Sequence, residues 1–105
     1  PGMRHLHYAP ARPLVLFRRS RAAALREALA ADPKALLLCA DADAPLFPGT
    51  RPVRLGGGEV EIARGLFDAL RTTRRGSVLL AYAVPRRGLL RAVMDRLERA
   101  ATRVV

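Results

Sequence analysis

The chain has 105 residues, half of them apolar and 27% charged. That length and balance close one domain around one core, burying roughly two-thirds of the unfolded surface, and they exclude a second domain and a disordered tail. Nineteen cations against nine acids give a net charge of +10, and Lys34 is the only lysine among the cations; arginine forks suit phosphate and carboxylate, so polyanions and acidic surfaces are the chemically sensible partners, although an arginine- and alanine-rich coding bias yields the same count.

Residues 1–12, PGMRHLHYAPAR, place Pro1 and Pro10 ahead of Pro13 with no sustained period, and are predicted as an extended arm that needs a surface to lie on. Leu14 to Phe17 are too few for a helix and are predicted as a first buried strand. Ser20 is placed as the N-cap of a helix in which Ala22, Leu25, Ala28 and Leu29 recur at helical spacing and which Asp32-Pro33 closes. The run ALLLCA, residues 35–40, is apolar on both faces, as expected of a central strand in a parallel sheet covered by helices on each side. Residues 41–51 are predicted as a surface loop leading to a short strand near Val53 to Leu55.

Beyond Gly56-Gly57-Gly58, the residues Ile62, Ala63, Leu66, Phe67 and Leu70 fall on one helical face, with Glu59 and Glu61 in the dipole-favoured first turn and Gly76 as the stop. Ser77 to Val84 form the fourth predicted strand, ended by Pro85. The last helix begins near Gly88, carries Leu89, Leu90, Val93, Met94, Leu97, Ala100 and Ala101 on a stripe, and runs nearly to the end. Alternation of this kind predicts an α/β fold: a three-layer Rossmann-like sandwich with a small, mostly parallel sheet, preceded by the extended N-terminal arm. No internal repeat interrupts it.

Ligands of open parallel sheets sit at the carboxyl ends of the strands, and two predicted strand exits are rich in arginine. Arg18, Arg19, Ser20 and Arg21 after the first strand, with Arg86 and Arg87 after the fourth, are therefore candidates for an anion site; the alternative is that these side chains simply extend into water. The glycine turn at 56–58 lacks the dinucleotide-binding spacing and any phosphate-gripping lysine, and is predicted as a turn only. His5 and His7 make an incomplete ligand set, so no metal site is assigned. Cys39, the single cysteine, permits no internal disulfide and is predicted to be an inert apolar side chain. Asp41 and Asp43 are predicted as loop turn-formers without a basic partner. No nucleophile, base and oxyanion donor assemble, so residue chemistry alone does not make this an enzyme. The lone thiol and the lack of a signal-peptide pattern point to the cytoplasm, with no membrane partner. The start at Pro1 suggests a piece excised from a longer protein.

The arm is the most specific signal. PGMRHLHYAP resembles the P-G-M-[KR]-x-x-H-Y-[AS]-P linker of the long, two-domain threonylcarbamoyl-AMP synthase family, matching at Pro1, Gly2, Met3, Arg4, His7, Tyr8, Ala9 and Pro10. LGGGEVEIARGLFDALR is similar to that family's glycine turn and A-x-x-L-F-x-A-L-R helix, and VPRRGLLRAVMDRLERAA to its P-x-x-G-L-G-x-A-[IV]-x-[ND]-R-L-x-x-A-A ending. The resemblance implies a linker over residues 1–12 and a Rossmann-like C-terminal accessory domain over residues 13–105. The partner it implies is a catalytic domain, joined in cis or supplied as a separate fragment. That domain, a nucleotidyltransferase, condenses L-threonine, bicarbonate and ATP into threonylcarbamoyl-AMP for N6-threonylcarbamoyladenosine in tRNA, using ATP with magnesium as a candidate companion. It also implies that the linker lies across the catalytic cleft, with Arg4, His7, Tyr8 and Pro10 acting as a lid, while the present domain carries no catalytic residue or cofactor. Two departures stand out: Gly88-Leu89-Leu90 replaces the usual G-L-G, and Arg86 and Arg87 stand where relatives are often acidic, so no ligand role is carried over to them. The alternative reading is an arginine-rich tRNA- or nucleotide-binding module acting on its own.

Overall fold

Each long strand is apolar on both faces, and a computed structural model, which describes residues 13–72 and 78–105, shows why. Strands β1 (Leu14–Phe17), β2 (Leu36–Cys39), β3 (Val53–Arg54), β4 (Leu79–Tyr82) and β5 (Arg103–Val104) form one sheet in the order β3-β2-β4-β1-β5. Every pairing in it is parallel. Helix α1 (Ala22–Ala31) covers one face; α2 (Glu59–Thr72) and α3 (Leu90–Ala100) cover the other. Side chains alternate between the layers as a pleated strand requires. Leu14, Leu16, Leu38, Leu79 and Ala81 join Ile62, Leu66, Val93 and Leu97 beneath α2 and α3. Phe17, Leu37, Cys39, Leu80 and Tyr82 join Leu25 beneath α1. The predicted three-layer α/β sandwich is thus present, and its sheet is wholly parallel among the described residues.

Five expectations change. The central strand is β4, buried at all four positions, whereas β2 lies one place from the edge. The last helix stops at Ala100, and the chain then turns extended to add the unforeseen strand β5: Thr102 N–H donates to the Leu14 carbonyl at 2.7 Å and Val105 N–H to the Leu16 carbonyl at 2.8 Å. Thr102, Val104 and Val105 are β-branched, and the open β1 edge offers backbone groups that need partners. Ser20 does not cap a helix; a 3-10 turn at Arg19–Arg21 leads into α1, whose N-cap position is Arg21, without a side-chain cap. Residues Asp41–Leu46 form a 3-10 segment rather than a surface loop, with Asp43, Ala44 and the following Phe47 buried. Phe67 belongs only half to the core face, being 49% exposed beneath the guanidinium groups of Arg71 and Arg96, 5.9 and 5.2 Å from its ring centre. The arm, His5 and His7 within it, and the predicted stop at Gly76 lie outside the described residues.

Helix α2 is set by its ends and by one close approach. Glu61 reaches back to accept the Gly58 N–H at 2.8 Å, half of a capping box, while Ile62 N–H donates to the Gly58 carbonyl at 2.8 Å. Gly65, in mid-helix, lies directly against the Leu55 carbonyl at the end of β3, where a Cβ would collide with backbone.

Candidate functional site

The chain leaves β1 toward α1 on one face and leaves β4 toward α3 on the other, and β1 and β4 are neighbours. Their exits therefore diverge at the carboxyl edge, which is where open parallel sheets leave a crevice. A cleft of about 500 Å³ occupies that place, lined by Leu16, Val84, Met94 and Val104 on its apolar side and by Arg18, Arg19, Arg86 and Glu98 on its charged side.

Arg19 is committed to holding this edge together. Its guanidinium forks onto Asp43, with Nη1 to Oδ2 at 2.9 Å and Nη2 to Oδ1 at 3.0 Å, and Nη1 also donates to the Ala83 carbonyl at 2.9 Å. The Tyr82 hydroxyl donates to the Arg19 carbonyl at 2.7 Å, and the guanidinium stands 5.0 Å from the centre of the Tyr82 ring, which packs edge-on against Phe47 at 5.1 Å. Register explains the reach: Leu16 of β1 and Leu38 of β2 both align with Ala81 of β4, so the β4 exit lies between the arginine and the aspartate. Hydrogen bonding to Asp43 raises the Arg19 pKa, outweighing its partial desolvation. The two residues thus tie the exits of β1, β2 and β4 into one unit. Asp43, predicted as a turn-former, is instead the buried acid of this clamp; the available signal was its position shortly after β2, matching that of Arg19 after β1.

The other predicted cations are dispersed. Arg18 lines the cleft, exposed, and its side chain has no hydrogen-bond or ion-pair partner among the described residues. Arg86 lines the opposite wall and pairs with Glu98, with Asp95 at 3.9 Å. Ser20, Arg21 and Arg87 are exposed and do not line the cleft. The structure brings together Arg18, Arg19 and Arg86, with only Arg18 uncommitted. In the glycine turn, Gly58 N–H already serves the chain's own Glu61 carboxylate. Asp41 keeps its Oδ1 buried without a hydrogen-bond partner among the described residues.

Cys39 is fully buried, and desolvation, with a smaller push from Asp43, raises its thiol from 9.0 to about 11. A protonated, enclosed thiol is expected to resist alkylation at about pH 8 in the folded protein and to react promptly in denaturant. The folded pKa is the higher one, so its contribution to stability is complete below the unfolded value and declines as pH rises from about 9 toward 11. Thiol labelling with and without urea checks the first statement, and denaturation across that pH range the second.

A sequence model of the threonylcarbamoyl-AMP synthase C-terminal domain matches residues 1–102. The chain belongs to that family. No curated protein matches it. In this synthase domain the departure at Gly88-Leu89-Leu90 has a clear structural setting. Gly88 takes φ +53°, and a Cβ there would meet the Glu59 carboxylate, whose Oε1 accepts the Leu89 N–H at 3.0 Å. Leu90 is buried in the core beneath α3, while Leu89 is half exposed. The close approach at this helix start is therefore made by the chain's own acid through Gly88, and the site of the missing second glycine is filled by packing. No helix among the described residues is long and apolar enough to cross a membrane.

Proposed function

We propose that this chain is the accessory, non-catalytic part of a threonylcarbamoyl-AMP synthase. Its arm, through Arg4, His7, Tyr8 and Pro10, closes over the cleft of a catalytic domain that makes threonylcarbamoyl-AMP from threonine, bicarbonate and ATP for tRNA modification in the cytoplasm. The observation that carries this reading is that the family match runs unbroken from the arm through the folded domain. A lid has a physical purpose in such chemistry, since an acyl-adenylate is hydrolysed wherever water reaches it. ATP, and any magnesium with it, are assigned in this reading to the catalytic domain that the family resemblance implies.

The test is Tyr8→Ala in the full-length synthase. Threonine-dependent pyrophosphate release is expected to fall about tenfold or more, with this domain's thermal midpoint unchanged within about a degree. Unaltered turnover would refute the lid.

A further inference from the structure

We propose that the cleft between the β1 and β4 exits binds a phosphate monoester carrying a flat apolar body, of the size of a nucleoside monophosphate. The proposal stands on the cleft and not on the lid, and it concerns this domain's own ligand.

Position is the first argument: neighbouring parallel strands part here toward opposite faces, so main chain and side chains from two turns surround one opening. Stiffness is the second. Arg19 already holds the turn after β1 to Asp43 and to the Ala83 carbonyl, so the walls are in place before any ligand arrives and little ordering remains to be done. Charge is the third. Arg18 lines the cleft with no side-chain partner among the described residues, and Arg86 faces the cleft from the other turn, held by Glu98. Two arginines from separate turns suit a phosphate, whose three terminal oxygens can be shared between two forks, better than a carboxylate, which fills one. Shape is the fourth. Val104, 40% exposed, gives the apolar side an accessible face backed by the buried Leu16, Val84 and Met94, and about 500 Å³ lies within the range of small-molecule sites.

Glu98 lends the proposal an unusual signature. Its carboxylate neutralises Arg86 and sets a negative charge on the cleft wall, so phosphate must compete with it. Removing that charge should strengthen binding rather than weaken it.

Calorimetry on this 105-residue chain at low salt, with AMP, inorganic phosphate and benzoate as probes, provides the test. AMP is expected to bind with a Kd on the order of 100 μM, with phosphate and benzoate each at least about tenfold weaker. Arg18→Gln is expected to weaken AMP at least about fivefold without moving the thermal midpoint, and Glu98→Gln to tighten it about threefold. Absence of AMP binding at several millimolar would overturn the proposal. So would AMP affinity unchanged in both variants, which would place the ligand elsewhere, and so would phosphate or benzoate binding as tightly as AMP. The Tyr8→Ala experiment reads turnover of the full enzyme, so the lid and the cleft can each fail without the other.

Discussion

Arg19→Met is expected to lower the unfolding free energy by about 2–3 kcal/mol and the thermal midpoint by roughly 10 °C or more. Methionine keeps the apolar stem but abandons three acceptors at once: both oxygens of Asp43, a residue only 8% exposed, and the carbonyl of Ala83. Stranding a fully buried carboxylate costs more, about 3–5 kcal/mol. The smaller figure applies because the Arg19 side chain is 40% exposed, so water enters where the guanidinium was. Adding Asp43→Ala to the same protein is expected to restore part of the loss, since it removes the unpaired charge. Urea denaturation of the two single variants and the double variant measures this coupling. A change below about 0.5 kcal/mol for Arg19→Met would reduce the clamp to an ordinary surface ion pair.

The second large effect runs against helix propensity. Alanine is favoured over glycine inside a helix by about 1 kcal/mol, so Gly65→Ala, in the middle of α2, ought to stabilise an isolated helix. In the folded protein it is expected to destabilise by about 2–3 kcal/mol net. The new Cβ would run into the Leu55 carbonyl, with its carbon 2.8 Å away. That segment cannot retreat: Leu55 N–H is bonded to the Cys39 carbonyl at 2.9 Å, and the Gly56 carbonyl accepts Asp41 N–H at 2.9 Å. Gly56 itself sits at φ +134°, a conformation other residues rarely adopt. Thermal denaturation decides the matter, and a midpoint raised in Gly65→Ala would show that α2 shifts away from β3 at little cost.

Much of the layering was legible because a short run that is apolar on both sides fits only between two covering layers. Leu36–Cys39 and Leu79–Tyr82 could only be strands buried on both faces, and the stripe through Leu90, Val93, Met94 and Leu97 could only be a helix packed on a sheet. Local signals failed where long-range partners outweighed them. Asp43 follows Asp41 in a stretch with two prolines, every mark of an exposed turn, yet the segment is drawn inward because Arg19 neutralises the aspartate and Phe47 finds the Tyr82 ring. The end of the chain continued a helical pattern through Ala101, and the free edge of β1 redirected it into β5. The convergence of arginines at the carboxyl edge was legible in part: Arg18, Arg19 and Arg86 line one cleft, but one of the three is consumed in structure and another is paired, and Ser20, Arg21 and Arg87 stay outside it.

Composition, periodicity and the linker motif by themselves determined the class of fold and the family, because those depend on side-chain type and spacing along the chain. Only the tertiary structure decided that β4 is the middle strand, that Arg19 belongs to Asp43, and that Gly65 must stay a glycine. Each of these depends on groups far apart in sequence meeting at a distance of a few ångströms, and hydrogen bonds and steric overlap act only at that range.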